Sequence, residues 1–163
     1  MLTPEQETAN SGYGCAIRFS DKSFIMIIKD TVTEYDIITG VSKPLPSLNI
    51  PRVKFGCDAF LDEDGERSYV VTGGDTPDST RSAEIFKPSV GQWIQIGDTN
   101  YPRTFHAVVT TSEGVFVIGR TSTPGSVEKL DIKTKTWLET GLMYDPVNAK
   151  QFGATAIPAN LHP

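Results

Sequence analysis

The stretch Tyr69-Val70-Val71-Thr72-Gly73-Gly74 decides the fold, because it opens a pattern that recurs along the chain. After a polar loop come Ala83-Glu84-Ile85-Phe86 and, seven residues past Phe86, Trp93. Further on, Val115-Phe116-Val117-Ile118-Gly119-Arg120 leads through another polar loop to Val127-Glu128-Lys129-Leu130-Asp131. Trp137 again stands seven residues past the last apolar residue, Leu130. A fainter copy lies upstream: Phe24-Ile25-Met26-Ile27-Ile28-Lys29, then Thr33-Glu34-Tyr35-Asp36, with Ser42 in the tryptophan's place.

The joins between copies repeat as well. Pro51-Arg52 precedes Phe55-Gly56, and Pro102-Arg103 precedes Phe105-His106. Gln151-Phe152-Gly153 opens a fourth copy. Gly14, Gly56, His106 and Gly153 thus mark successive starts about 40–50 residues apart, the spacing of propeller blades. Each copy reads as four short strands. In the second these are Gly56–Leu61, Ser68–Thr72, Ala83–Phe86 and Gln92–Ile96, and in the third His106–Thr111, Val115–Ile118, Ser126–Leu130 and Thr136–Thr140. Asp64-Gly65 and Glu113-Gly114 supply hairpin turns. The second strand of each copy is a continuous apolar run, the pattern of a strand covered on both faces.

The pattern resembles the kelch repeat over about Gly12 to Ile157. It is carried by Gly73-Gly74, Glu84-Ile85-Phe86 and Trp93, and by Gly119, Glu128, Leu130-Asp131 and Trp137. The resemblance implies an all-β, partial kelch-type β-propeller of about three four-stranded antiparallel blades. Their bounds are about 12–50, 54–100 and 104–148, with an opening fourth strand at 151–157. Tails of 1–11 and 158–163 flank them. It also implies that the doublet ends the second strand and that the tryptophans pack between blades. The first copy departs from the family, with Ile28-Lys29 for the doublet, and the third has Arg120 for the second glycine. Closed propellers have four to eight blades, so three blades read as a piece of a larger ring or a half ring needing a partner. Exposed end faces lead to the expectation that the isolated chain self-associates, as two half rings making six blades, or precipitates.

Composition narrows function. The 163 residues are 38% hydrophobic and 21% charged, ordinary for one globular domain. Net charge is −5, with 15 Lys+Arg against 20 Asp+Glu, so the basic footprint of a nucleic-acid binder is missing. No apolar run is long enough to span a membrane, and Met1 to Asn10 does not read as a signal peptide. The two cysteines and the lack of an N-x-[ST] sequon point to a reducing compartment, hence a cytoplasmic location, with an extracellular one left for a fragment of a secreted protein.

Catalysis finds little support. His106 reads as a structural residue at a strand start and His162 as a tail residue without a role. No G-x-S-x-G elbow accompanies them. A copper radical site of the galactose-oxidase kind, which a kelch-type propeller can host, needs two histidine ligands and a cysteine-crosslinked tyrosine; His162 lies outside any blade. No metal or other cofactor is expected. Cys15 and Cys57 read as equivalent places on neighbouring first strands, too far apart to join, and hence as small buried residues. Asp62-Glu63-Asp64-Gly65-Glu66 reads as a solvated hairpin turn, and Lys43-Pro44-Leu45-Pro46 as a connecting loop.

What remains is the loop face. In the kelch family two positions contact bound peptide: the one just after the doublet, and the one two residues before the glycine or histidine that opens strand one. By that resemblance the first class is Asp30, Asp75 and Thr121, and the second is Gly12, Lys54, Thr104 and Gln151, with Arg120 at the edge. The expected function is non-catalytic binding of a protein or peptide partner through this face. Two alternatives are a galactose-oxidase-like enzyme fragment and a carbohydrate-binding propeller.

Overall fold

The computed structural model of the chain describes residues 13–119 and 125–143. These residues form twelve strands and no helix. The first blade contains β1 (Gly14–Arg18), β2 (Ser23–Ile28), β3 (Thr31–Asp36) and β4 (Ser42–Leu45). The second contains β5 (Gly56–Leu61), β6 (Arg67–Thr72), β7 (Ala83–Lys87) and β8 (Gln92–Ile96). The third contains β9 (Ala107–Thr111), β10 (Gly114–Ile118), β11 (Ser126–Asp131) and β12 (Thr136–Met143). Each is an antiparallel sheet with its strands in sequence order. β5 lies against both β1 and β9, so the first strands of successive blades run side by side. The fold is all-β, in three blades of a partial propeller. The expected strand at 151–157 lies outside the described residues.

Lys43-Pro44-Leu45 belongs to β4 rather than to a loop. Proline is tolerated there because β4 is the outermost strand and pairs only with β3. The connection to the next blade starts at Pro46, whose carbonyl accepts the Trp93 indole N–H at 2.9 Å.

Two hydrophobic seams hold the blades together. Ile17, Ile25, Ile27 and Val32 of blade 1 pack with Tyr69, Val71, Phe86 and Trp93 of blade 2. Phe60, Val70, Ala83 and Ile85 of blade 2 pack with Val115, Val117, Leu130 and Trp137 of blade 3. Both tryptophans therefore lie between blades, each 5% exposed. Among the described residues, only the central blade has its second strand covered on both faces: β6 is buried from Ser68 to Thr72. In β2 and β10 buried and half-buried residues alternate, because one face of each has no described neighbour.

The ladders fix which residues are equivalent. Cys15–Ile27–Val32–Leu45 in blade 1 occupies the row of Gly56–Thr72–Ala83–Ile96 in blade 2 and Ala107–Ile118–Val127 in blade 3. Gly14 is thus the counterpart of Phe55 and His106, and Gly56 stands one residue further on. That slip corrects the expectation for the cysteines. Successive strand residues point to opposite faces. Cys15 faces forward from blade 1 and Cys57 backward from blade 2, so they meet across the seam. Their Cα atoms are 6.2 Å apart and the two form a disulfide; they are not free.

Candidate functional site

The two joins and the β2–β3-type loops gather at one end of the blades. Each join is fastened to the blade after it by a buried polar cluster. Asn49 donates from its backbone N–H and its Nδ2 to Glu84 Oε2, both at 2.8 Å, and from Nδ2 to the Trp93 carbonyl at 2.9 Å. Arg52 Nη2 donates to Glu84 Oε1 at 2.7 Å, and its Nη1 to the carbonyls of Gly73 and Ser82. One repeat later Asn100 and Arg103 hold Glu128 in the same way, with Arg103 Nη2 donating to Oε1 at 2.6 Å. Both ion pairs are fully buried. Such pairs add little net stability over apolar contacts, but removing one partner leaves a costly buried charge.

The glycine doublet is where two joins cross the central blade. Gly73 and Gly74 have φ of 63° and 140°. The Gly74 N–H donates to the Arg103 carbonyl at 2.9 Å. A Cβ on Gly73 would stand 2.5 Å from that carbonyl oxygen, and one on Gly74 2.5 Å from Ser79 Oγ. Only glycine allows both the conformation and the approach.

This crossing places three register-equivalent residues together: Tyr13, Lys54 and Phe105, each two positions before the Cys15–Gly56–Ala107 row. Lys54 and Phe105 share a left-handed backbone, with φ of 58° and 52°, and the Phe105 N–H donates to the Lys54 carbonyl. The Tyr13 and Phe105 rings meet edge to face at 5.4 Å. Lys54 Nζ lies 4.9 Å from the Phe105 ring centre and 5.5 Å from that of Tyr13, and it pairs with Asp75 at 2.5 Å. The cluster stays open to solvent: Asp75 is 47% exposed at its side chain and Tyr13 42% exposed overall. It therefore offers two aromatic surfaces, a cation and a carboxylate within one patch.

The structure brings Lys54 and Asp75 together as an ion pair. Asp30 occupies Asp75's register in blade 1, but in a two-residue turn between β2 and β3 rather than a long loop. Its carbonyl accepts the Leu48 N–H, and it takes no part in the Lys54 cluster. Thr104 is not the counterpart of Lys54. Phe105 holds that position, and the Thr104 Oγ1 is buried without a hydrogen-bond partner among the described residues. Gly12, Arg120, Thr121, Gln151 and His162 lie outside the described residues. Tyr13 and Phe105 escaped the sequence reading because glycine served as the marker of strand starts. The aromatic residues flanking those starts were the available signal.

His106 is buried, 3% exposed, and its Nε2 shares a 2.7 Å hydrogen bond with Thr72 Oγ1. The imidazole lies in the space left by Gly56 and Gly73, where added Cβ atoms would come within 2.9 and 2.6 Å of it. Burial, then the nearby charges of Arg103 and Arg52, push its pKa down to about 3, so it is neutral at physiological pH. At the opposite end of the blades, Asp62-Glu63-Asp64-Gly65-Glu66 forms the β5–β6 turn. The Asp62 carboxylate accepts the N–H groups of Asp64 and Glu66, and Lys87 bridges Asp62 and Asp64. A cavity of about 460 Å³ opens at this same end between blades 2 and 3, lined by Phe60, Arg67, Thr110, Glu113 and Ile132 among others. Among the described residues no group of three or more His, Cys, Asp or Glu side chains is placed to hold a metal ion.

These features define a class, the partial β-propeller with its joins and long loops gathered at one end. No family model matches the chain, and no curated protein matches it. Among solved structures it is similar to that of YjhT, with a TM-score of 0.59 and 11% identity over 80% of this chain. The match takes in 52% of YjhT, so the chain spans about half that protein's length. At this identity the likeness concerns the fold.

Proposed function

We propose that the chain is a kelch-type propeller segment acting as a non-catalytic binding module, which presents its loop end to a protein or an extended peptide. The observation that carries this reading is the convergence of Tyr13, Lys54 and Phe105 on one partly exposed patch beside Asp75. Aromatic faces recognise flat or apolar groups at little entropic cost. The Lys54–Asp75 pair is partly exposed, 25% and 47% at the two side chains, so a partner's carboxylate or amine can reach and exchange with either member. No cofactor enters this chemistry. The Cys15–Cys57 bridge favours an oxidising compartment over the cytoplasm, since such bonds persist where thiols are not kept reduced.

The test is selection of peptides from a displayed library on the full chain, with affinity then measured on variants. Phe105→Ala and Lys54→Ala each weaken the selected peptides by about tenfold or more, about 1.4 kcal/mol. Glu113→Ala, at the hairpin end, leaves affinity unchanged. Loss of binding with Glu113→Ala but not with Phe105→Ala refutes the assignment.

A further inference from the structure

The outward face of blade 1 repeats a face that blade 2 buries. Phe24, Met26 and Tyr35 are the register counterparts of Tyr69, Val71 and Phe86. In blade 2 those three are 1%, 0% and 4% exposed, packed into the seam with blade 1. The aromatic pair recurs too: Phe24 and Tyr35 stack at 5.4 Å, and Tyr69 and Phe86 lie 6.3 Å apart. Yet Phe24, Met26 and Tyr35 are only half-buried, with no blade described against them. Phe24 also borders a groove of about 310 Å³ with Ala16, Ile17 and Ile37, rimmed by the Arg18–Asp21 pair.

Blade 3 has the complementary lack. Its outward face carries Phe116, Ile118, Val127 and Leu138, the counterparts of Val70, Thr72, Ala83 and Ile94. In blade 2, Val70 and Ala83 are fully buried in the seam with blade 3. On blade 3, Phe116 and Ile118 are half-buried and Leu138 is 51% exposed, while Val127, Ala107 and Val109 on the same face are buried, so the open part of this face lies around Phe116 and Leu138. Lys129 shares this face, with its ammonium over the Phe116 ring.

Among the described residues, blade 1 thus has a half-buried face of the kind that blade 2 turns to its predecessor, and blade 3 a partly exposed one of the kind that blade 2 turns to its successor. The geometry points to a second copy of this chain as the occupant, blade 3 of one copy stacking on blade 1 of the other. A two-fold axis makes both new seams at once and closes a ring of six blades. This interface is separate from the loop-end patch, so either reading can fail without the other.

The full 163-residue chain at low micromolar concentration, run through size exclusion with multi-angle light scattering, tests it. The expected mass is that of two chains. Phe24→Glu and Leu138→Glu each alter an exposed or half-buried side chain, and each converts the dimer to a one-chain mass with its circular dichroism retained. Mixing the two variants restores a two-chain species, because each supplies the intact face the other lacks. A one-chain mass for the unaltered protein overturns the proposal. So do open-ended growth in mass, and a dimer insensitive to both variants.

Discussion

Cys15 and Cys57 face each other across the first seam, their Cα atoms 6.2 Å apart, because they occupy adjacent ladder rows rather than equivalent ones. The bridge joins the first strands of two blades across a sequence separation of 42. Blade 1 is also the copy with Ser42 in the tryptophan's place and Thr33 in the place of Glu84. The covalent tie therefore reinforces the blade with the weakest repeat signature.

Reduction, or the double variant Cys15→Ala/Cys57→Ala, should lower unfolding stability by about 2–4 kcal/mol. Urea denaturation with and without reductant measures this. A midpoint indifferent to reductant contradicts the tie.

Glu128→Ala leaves the buried Arg103 guanidinium without its carboxylate and strips the Asn100 N–H of its acceptor. The expected loss is about 3–5 kcal/mol. The same denaturation series checks it, and a loss below about 1 kcal/mol, the range of an exposed pair, counts against a dry, paired site.

Trp137→Ala opens a cavity in the second seam and should cost about 3–5 kcal/mol. An unfolding midpoint equal to that of the unaltered protein rules out its placement there.

How much of this was legible in the sequence depends on the residue. The strands of the second and third blades could be read to within a few residues, since Gly73-Gly74, Trp93 and Trp137 each meet a local steric or packing demand. The register of the first strands could not. Glycine marks the start in Gly14 and Gly56, but the two stand in different rows, and a one-residue slip exchanges the faces of a strand. That slip hid the disulfide and put Thr104 in the place of Phe105. The Arg52–Glu84 and Arg103–Glu128 pairs bridge distant segments, which composition and periodicity do not register. Their one local trace is the shared Asn-x-Pro-Arg of both joins, Asn49 to Arg52 and Asn100 to Arg103.

His106 gives the fold a pH dependence of definite sign. Its folded pKa is about 3, against 6.5 for a free histidine, so the unfolded chain takes up the proton first. Stability is complete above about pH 6.5 and declines as pH falls toward 3. Asp36, Asp62 and Asp131 are held below their ordinary values by hydrogen bonds from Thr39, Lys87 and Thr134 respectively. Their share is lost only below about pH 4. His106→Gln should therefore flatten the stability profile between pH 6.5 and about 4.5 while leaving partner binding intact. An unchanged slope there refutes a buried neutral imidazole.

Binding at the loop end, through Tyr13, Lys54, Asp75 and Phe105, is tested most directly by backbone amide chemical shifts of the labelled chain during titration with a selected peptide. The largest changes should fall at Lys54, Asp75, Phe105 and their chain neighbours, while Arg67, Glu113 and Ile132 at the opposite end stay still. Changes centred on Arg67, Glu113 and Ile132, with Lys54 and Phe105 unmoved, would contradict the loop-end site and move binding to the hairpin-end cavity.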